Sequence, residues 1–285
     1  MSLEPLITVY VITYNRLELL KRAIDSVINQ TYKNLEILVV DDNSIDGTTD
    51  YLKEISILDS RIIYFTKKQN KGACDSRNIA IQNASGYFIT GLDDDDYFLE
   101  NRIENFYKFW KGLRKKPNFL YSLNAIKTES SIHYPNFFKT IFYKKRISYK
   151  DLRIANYPGN QIFTTTKTLR DVNGFDINMP AWQDMETWYR ILLYKKGYAL
   201  FLNSCTYVCD ISHTHERITN LDRHRKAREI FIKKHKLNIF ESQLYFLLES
   251  HNLNFCLYFK RLVFQFSLID LYYLLKNLKK FFKKY

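Results

Sequence analysis

Four consecutive aspartates, Asp93 to Asp96, have a type and spacing that suggest chemistry. They follow an apolar run in the stretch ITGLDDDDYF. Adjacent carboxylates repel one another, so a folded chain tolerates them where a positive charge lies nearby or where the loop is solvated. Hard divalent cations such as Mg²⁺ and Mn²⁺ bind carboxylate oxygens and often share their coordination shell with substrate phosphates. The run therefore indicates either a metal site that serves a diphosphate or a solvated acidic turn.

An acidic pair and a pair of histidines also stand out in the sequence. Asp41 and Asp42 end the apolar stretch LEILVVDD. His213 and His215 alternate in the stretch SHTHERIT, and alternate residues of an extended segment point to the same side. The two imidazoles could therefore face one ligand, although solvated loop histidines fit the spacing equally well.

The first hundred residues contain the elements that would position these groups. Short apolar, β-branched runs predict buried strands at Leu6–Ile12, Leu35–Asp42, Arg61–Phe65 and Gly86–Asp93. The stretches RLELLKRAIDSVINQ, SIDGTTDYLKEI and GACDSRNIAIQNA predict the intervening helices, the second with a Ser or Asp N-cap. This alternation predicts a parallel sheet covered on both faces. Ligands of such sheets bind beyond the carboxyl ends of the strands, where both aspartate groups fall.

The pattern becomes less regular between residues 118 and 210. NFLYSLNAI, QIFTTT and YALFLNSCTYVCDI indicate strands, and WQDMETWYRILLYKKG indicates a helix that ends at Gly197. From about residue 217 the composition changes to a basic helix, RITNLDRHRKAREIFIKKHK, followed by a long aromatic-rich helical stretch. We therefore place the boundary of an α/β domain near residue 217.

The end of the chain combines an apolar helical spacing with a lysine cluster. Phe259, Leu262, Val263, Phe266, Ile269 and Tyr273 recur at helical intervals, and they precede Lys276, Lys279, Lys280, Lys283 and Lys284. An amphipathic helix of this kind can lie on an anionic lipid surface. The alternative is a helix packed on the preceding domain with a solvated end.

Composition limits the class of protein and its partners. The 285 residues are 46% hydrophobic, which suffices for a large core, and the net charge of +13 indicates an anionic partner. The four cysteines form no CxxC pair and indicate reduced thiols in a cytosolic protein. The first residues lack the features of a signal peptide, and no stretch reaches the ~18 apolar residues of a membrane span. We therefore expect a cytoplasmic protein.

Five stretches together resemble glycosyltransferase family 2 in order and spacing: VYVITYNR, NQTYKNLEILVVDDNSIDGT, NKGACDSRNIAI, ASGYFITGLDDDD and WQDMETWYR. The resemblance covers about residues 5 to 215. It implies the GT-A fold, a Rossmann-like α/β fold with a mainly parallel central sheet, and a nucleotide-sugar donor. It also implies a catalytic domain at 1–216, with a nucleotide-binding half at 1–97 and an acceptor half at 98–216. Residues 217–285 would form a helical, basic and amphipathic region.

The resemblance also implies a donor site. Tyr14 would lie against the base, and Asp42 would accept a hydrogen bond from uracil. Asp93 and Asp95 match the family's DxD motif, in which Asp95 would bind Mn²⁺ or Mg²⁺ directly. Arg77 would face the donor phosphates or brace the acidic loop. The implied nucleotide-sugar-binding set is Thr13, Tyr14, Asn15, Asp42, Arg77, Asp93 and Asp94, and the implied metal set is Asp95, Asp93, His213 and His215.

The same resemblance identifies Asp184 as the catalytic base. An acceptor hydroxyl is a poor nucleophile, and a carboxylate within hydrogen-bonding reach can remove its proton as it attacks the anomeric carbon. One base and one displacement predict inversion at that carbon. Asp184 also suits a helix N-cap. Glu186 is the second choice for the base, and we place it with Trp182 in the acceptor site, where Trp182 would stack on a sugar or lie in the core.

The expected function is therefore inverting, metal-dependent transfer from a UDP-sugar to a saccharide linked to a lipid diphosphate. The chain most resembles bacterial enzymes of O-antigen or capsule biosynthesis, which implies a peripheral position on the inner face of the cytoplasmic membrane. One alternative is a nucleotidyltransferase, although ITYNRLELL lacks the expected glycine-rich loop. A nucleic-acid-binding protein fits the charge but lacks a recognition motif. A non-catalytic sugar-binding relative would bind UDP without turnover.

Overall fold

The structure, a computed structural model, describes residues 4–141, 143–153, 155–194, 196–213 and 221–237. The strands are β1 (Ile7–Thr13), β2 (Leu35–Asp41), β3 (Ile62–Thr66), β4 (Phe88–Asp93), β5 (Tyr97–Phe98), β6 (Phe119–Tyr121), β7 (Asn124–Lys127), β8 (Ile132–His133), β9 (Arg146–Ile147), β10 (Phe163–Thr165), β11 (Ala199–Phe201) and β12 (Tyr207–Asp210). The helices are α1 (Leu17–Ile28), α2 (Thr48–Leu58), α3 (Ala73–Asn83), α4 (Arg102–Gly112), α5 (Phe137–Ile141), α6 (Tyr149–Leu152), α7 (Thr166–Asp171), α8 (Gln183–Tyr194) and α9 (Leu221–Lys234).

The central sheet has eight strands in the order β3-β2-β1-β4-β10-β6-β11-β9. The first four strands in this order are parallel, and so is the pair β6 and β11. β10 runs antiparallel between β4 and β6, and β9 is antiparallel to β11. The expected α/β class with a mainly parallel sheet is therefore confirmed.

Two apolar clusters cover the two faces of this sheet, because alternate residues of each strand point to opposite sides. Val9 and Val11 of β1 pack with α1 and α4, whereas Tyr10 packs with α3 and α8. The four predicted strands of the first hundred residues and the three helices between them are all present. The predicted Ser or Asp N-cap of α2 is wrong, because Gly47 occupies that position with φ +88°.

A second, smaller sheet has the order β5-β12-β7-β8. NFLYSLNAI, which suggests one strand, is divided: β6 belongs to the central sheet and β7 to the smaller one. β5 directly follows the aspartate run and pairs with β12. The smaller sheet therefore holds the far side of the aspartate loop.

Helix α9 packs against the α/β domain. Phe231 is buried, and its ring lies 5.1 Å from that of Tyr189 in α8. The predicted amphipathic helix of the last residues lies outside the described ranges. Within those ranges, the structure contains no helix with the length and apolar character needed to cross a membrane.

Candidate active site

The ends of three parallel strands meet at one edge of the central sheet. Thr13 of β1 lies opposite Asp41 of β2, and Ile12 lies opposite Asp93 of β4. This register brings together the first loop, the Asp41-Asp42 pair and the aspartate run, as the pattern of the sequence predicts.

The loop after β1 is fixed by its own hydrogen bonds. Asn15 has φ +51°, a conformation that Asn tolerates better than most residues. Its amide donates to Ser44 Oγ at 2.8 Å, and its side-chain oxygen accepts from the Ile45 amide at 2.8 Å. The Tyr14 side chain is 46% exposed and available to a ligand, whereas Thr13 is buried.

Both oxygens of the buried Asp42 carboxylate are engaged within the chain. They accept hydrogen bonds from the amides of Lys71 and Gly72 at 2.9 and 2.7 Å, and Lys67 Nζ lies 2.5 Å from Oδ1. Asp42 thus fixes the turn that precedes α3. A hydrogen bond from a base would have to share one of these oxygens.

The first aspartate of the run, Asp93, is surrounded by donors. Arg77 Nη2 lies 3.2 Å away, Gln161 Nε2 3.1 Å and Asn160 Nδ2 2.8 Å. The Asp96 amide donates to the Asp93 carbonyl at 3.0 Å, which closes the turn. Asp93 is therefore a fixed carboxylate at the base of the site.

The next two aspartates share one arginine. Arg16 Nη1 lies 3.0 Å from Asp94 Oδ1 and 3.0 Å from Asp95 Oδ2. The fourth, Asp96, is buried and accepts from the Asp210 amide at 2.9 Å. Protein cations and amides thus compensate much of the acidic run, and the loop is not a freely solvated turn.

Burial still leaves the run short of positive charge. It raises the pKa of Asp94 to about 6, and burial together with the neighbouring Asp93 raises that of Asp96 to about 8. The pKa of Asp95 is also raised, first by burial and then by Asp93. An additional cation at this loop would favour the ionised carboxylates.

Asp95 is the best placed of the run to meet a metal. Its side chain is 17% exposed, and His213 Nε2 lies 3.4 Å from Oδ2. Among the described residues, no three His, Cys, Asp or Glu side chains already form a metal-binding group. Carboxylates with one imidazole nevertheless suit Mn²⁺ or Mg²⁺, so the donor set fits a hard divalent cation. His215, the fourth expected ligand, lies outside the described residues.

Asp184 lies in the first turn of α8, inside the helix rather than at its N-cap. Its Oδ1 is buried, has no hydrogen-bond partner among the described residues, and lies 3.9 Å from Arg77 Nη1. Burial raises the pKa of Asp184 to about 7, while Arg77 opposes the rise and Asp93 adds to it. A carboxyl group with a pKa near neutrality is suited to accept a proton. Arg77 contacts both Asp93 and Asp184, so one guanidinium links them.

The structure places Glu186 away from this site. Its carboxylate is fully buried, 2.8 Å from Arg190 Nε, 2.8 Å from Lys234 Nζ and 3.1 Å from His235 Nε2. Burial alone would raise the pKa of Glu186, but the hydrogen bond from His235 and the charge of Arg190 bring it below its usual value. We therefore withdraw Glu186 as an acceptor-site residue or second base.

Trp182 precedes α8 with φ +59°. Its indole Nε1 donates to His224 Nδ1 at 3.0 Å, and its ring packs against Phe231 of α9. Trp182 thus joins α8 to α9 in this structure. Stacking on an acceptor sugar stays a prediction.

Several residues of the site were not identified from the sequence. Asn160 and Gln161 precede β10, and because β10 is antiparallel to β4, its beginning lies beside the end of β4. The position of Asn160 and Gln161 beside the end of β4 depends on how the strands pair, and no local sequence pattern indicates it. Arg16, by contrast, directly follows the first loop and could have been considered as a counter-ion.

Comparison with known proteins gives consistent results. The model of the family described as "Glycosyl transferase family 2" matches residues 8–168. The putative colanic acid biosynthesis glycosyl transferase WcaA of Escherichia coli K12 is 32% identical over 239 residues, which are 83% of each chain. The GalNAc(5)-diNAcBac-PP-undecaprenol beta-1,3-glucosyltransferase of Campylobacter jejuni is 33% identical over 177 residues. That alignment covers 60% of this chain and about half, 55%, of the relative.

Two solved structures show the same fold. S. aureus TarS 1-349 in complex with UDP-GlcNAc superposes with a TM-score of 0.66 at 16% identity, over 96% of this chain and 80% of the other. The mannosyltransferase PcManGT from Pyrobaculum calidifontis, in complex with GDP-Man and Mn²⁺, gives 0.61 at 19% identity, over 88% and 72%. Identities this low establish the architecture alone.

Proposed function

Because the chain belongs to glycosyltransferase family 2 and has the GT-A fold, we propose that it transfers a sugar from a UDP-sugar to a lipid-linked saccharide in surface-polysaccharide biosynthesis. The family sets aside the nucleotidyltransferase and nucleic-acid-binding alternatives. The observation that carries the proposal is the pairing of Asp184 with Asp93 through Arg77, at the edge where the first loop and the aspartate run meet.

The donor would lie across the ends of β1, β2 and β4. We assign Thr13, Tyr14, Asn15 and Asp42 to the nucleotide, with the exposed Tyr14 ring against the base. Asp93, Asp94 and Arg77 would lie at the sugar-diphosphate end. Both UDP-GlcNAc and GDP-Man occur in structural neighbours, so the choice of UDP rests on the resemblance in the loops and needs a direct test.

Asp95 would hold a divalent cation, with Asp93 and His213 as further ligands. When bound, such an ion supplies Lewis-acid stabilisation of a departing diphosphate. The chain's own contribution is to hold Asp95 and His213 3.4 Å apart and to keep Asp93 fixed by its three donors.

Asp184 would act as the base. Oδ1, which has no hydrogen-bond partner among the described residues, would accept the proton of the acceptor hydroxyl. The hydroxyl oxygen would bond to the anomeric carbon as the bond from this carbon to the diphosphate breaks. A single displacement of this kind inverts the configuration. Arg77 favours the ionised form of Asp184, because its positive charge opposes the effect of burial on the pKa.

The acceptor class is suggested by relatives. The C. jejuni relative is named for an undecaprenol-diphosphate-linked substrate, and WcaA for colanic acid biosynthesis. A lipid-linked acceptor would agree with the net charge of +13 and with the lysine cluster after residue 275, which together favour peripheral attachment to an anionic membrane.

The deciding experiment is a calorimetric titration of UDP and GDP, each with and without Mn²⁺, followed by a donor-sugar screen. We expect UDP to bind more tightly than GDP and to require the metal. Release of free UDP from a matching UDP-sugar, accelerated by a lipid-linked acceptor, would complete the assignment. If neither nucleotide binds with Mn²⁺ present, the assigned site is wrong. Preference for GDP would overturn the donor assignment alone.

A further inference from the structure

Arg16 is the counter-ion of Asp95, the carboxylate to which we assign the metal. Its Nη1 lies 3.0 Å from one oxygen of Asp94 and 3.0 Å from one oxygen of Asp95. The same Asp95 oxygen, Oδ2, faces His213. The guanidinium therefore neutralises the carboxylate to which we assign the cation.

The backbone of Arg16 is fixed although its side chain is 20% exposed. Arg16 immediately precedes α1. The preceding amide, of Asn15, donates to Ser44, and the following amide, of Leu17, donates to Asp46 Oδ2 at 2.9 Å. The flanking backbone is thus anchored independently of the guanidinium, so rotation of the Arg16 side chain is the simplest route to a change of partner.

The aspartate loop does not depend on Arg16 for its shape. A second arginine, Arg22 of α1, donates from Nη2 to the Asp95 carbonyl at 2.6 Å, and its Nη1 pairs with Asp210. Asp210 is fully buried and also lies 3.1 Å from Lys127 Nζ. Arg22 thus connects the loop backbone to β12, whereas the contacts of Arg16 described above are made to carboxylate oxygens of the loop.

We propose that Arg16 is an exchangeable counter-ion: it occupies Asp95 before metal arrives, and it contacts the donor diphosphate once the metal holds Asp95. This inference rests on the proposed function, since it takes Asp95 as the metal ligand. A guanidinium 3.0 Å from Asp95 opposes an incoming dication by charge repulsion and by occupying the oxygen. A diphosphate bound to that metal is the nearest new anion, and a guanidinium matches phosphate oxygens well.

The proposal makes two binding constants move in opposite directions. In Arg16→Gln, Mn²⁺ alone should bind more tightly, because the arginine no longer competes with the metal for Asp95. The gain should be at most about fivefold, because a partly exposed ion pair contributes little free energy. UDP at saturating Mn²⁺ should bind more weakly, by about tenfold or more, because a charge-assisted hydrogen bond is lost. Free Mn²⁺ measured by electron paramagnetic resonance gives the first constant, and calorimetry with UDP gives the second.

Arg22→Gln is the matched control, since it removes an arginine that contacts the same residue through its carbonyl. It should weaken both Mn²⁺ and UDP binding, as any loss of loop structure would. Arg16→Lys, which keeps the charge, should leave Mn²⁺ binding closer to that of the wild type. Thermal melting checks that each variant is folded.

Each outcome has one interpretation. Opposite shifts in Arg16→Gln support the exchange. Weaker binding of both Mn²⁺ and UDP would assign Arg16 a structural role and overturn the exchange proposal. An unchanged affinity for either ligand would also overturn it. If wild-type protein binds neither UDP nor GDP with Mn²⁺, the proposed function fails and this inference with it. If wild type binds both and only the opposite shifts are missing, this inference alone fails.

Discussion

The buried carboxylate of Asp184 lowers the stability of the fold, and its assigned role as the base explains why it is retained. Its pKa is raised to about 7 from an ordinary 3.8, chiefly by burial. Above pH 7 the group is ionised in both the folded and unfolded states, so the fold bears the full cost of burying the charge. Below pH 3.8 it is neutral in both states and the cost disappears. Active sites commonly retain such destabilising groups because function requires them.

We therefore expect Asp184→Asn to be more stable and inactive. Transfer should fall by about 10²- to 10⁴-fold because the proton acceptor is lost, while UDP binding with Mn²⁺ persists. At pH 8 the melting temperature should rise by about 2 °C or more, and the gain should vanish toward pH 4. Asp50→Asn, an exposed change in the first turn of α2, is the control: it should leave transfer unchanged and should not raise the melting temperature, because a helix N-terminus favours the negative charge. Normal transfer by Asp184→Asn would remove Asp184 as the base.

The raised pKa of Asp184 also predicts the pH profile. A base works only when deprotonated, so kcat/KM for the acceptor should fall as the pH drops through about 7. Arg77 lowers this pKa and Asp93 raises it, so Arg77→Gln should move the acid limb to higher pH. Arg77→Lys, which keeps the charge, should move it less. The position of the limb is the measurement, whatever the maximal rate. An acid limb near pH 4, or one that ignores the charge at position 77, would contradict the assignment.

Residue-level prediction from the sequence worked where type and position suffice. The aspartate run has distinctive chemistry and follows a recognisable strand, Asp184 is identified by the family resemblance of WQDMETWYR, and the structure brings them to one edge. Glu186 shows the limit. Two residues along a helix point to different sides, so Asp184 contacts Arg77 while Glu186 faces α9 and the ion pairs with Lys234 and Arg190. The assigned roles of these site residues stay predictions until the binding and transfer experiments are done.

At the scale of elements, the contact between β4 and β10 determines the shape of the site. Gly91 of β4 faces the pair formed by Tyr10 and Gln161, whose side chains are hydrogen-bonded at 3.0 Å. Gln161 in turn donates to Asp93. A side chain at Gly91 would have to displace this chain of contacts, because its Cβ would lie 2.2 Å from Gln161 Oε1 and 2.4 Å from the Tyr10 ring.

Gly91→Ala should therefore cost about 1–3 kcal/mol of unfolding free energy, as overpacking of a core does. It should also weaken UDP binding, since Gln161 would no longer hold Asp93. Gly112→Ala at the end of α4 is the matched control: nothing lies within 4 Å of its added Cβ, so stability should stay unchanged or rise slightly. Chemical denaturation and UDP calorimetry measure both. Equal effects of the two substitutions would show that the close contacts at Gly91 are unimportant.

The sequence predicts the positions of strands and helices better than it predicts which strands pair with one another. The period and length of apolar runs identify β1 to β4 and α1 to α3 because each run is long and strongly patterned. The strands β6 and β7 lie in one mostly apolar stretch, NFLYSLNAI, yet they join different sheets. No local pattern distinguishes one long strand from two short ones. The antiparallel insertion of β10 likewise depends on long-range pairing, so Asn160 and Gln161 could not be placed beside Asp93 from the sequence.

At the scale of the whole molecule, the acidic residues of the proposed donor site and the basic excess of the chain have separate roles. The net charge is +13, yet the proposed donor site is built around an acidic run that arginines and amides compensate in large part, and the assigned divalent cation would supply the rest. The excess of basic residues is therefore not needed to balance that run. It is available for an anionic partner outside the site, and the lysine cluster after residue 275, beyond the described residues, is one dense local source.

Neutralising that cluster should release the protein from anionic lipid without changing the chemistry. Each basic residue near an anionic surface contributes about 1 kcal/mol, so replacing the cluster by glutamine should sharply reduce flotation with phosphatidylglycerol vesicles. The replaced residues are Lys276, Lys279, Lys280, Lys283 and Lys284. Transfer to a short, water-soluble acceptor should be unchanged.

The control removes the same formal charge from the described part of the chain, at the exposed lysines 53, 68, 111, 115 and 167. If attachment depends on position, this variant should still float with the vesicles. Binding of the wild type should also weaken with added salt, because surface charges are screened, and it should be weak on neutral phosphatidylcholine. Equal release of the two variants would mean that net charge alone attracts the protein. Unchanged flotation of the cluster variant would mean that another part of the chain makes the contact.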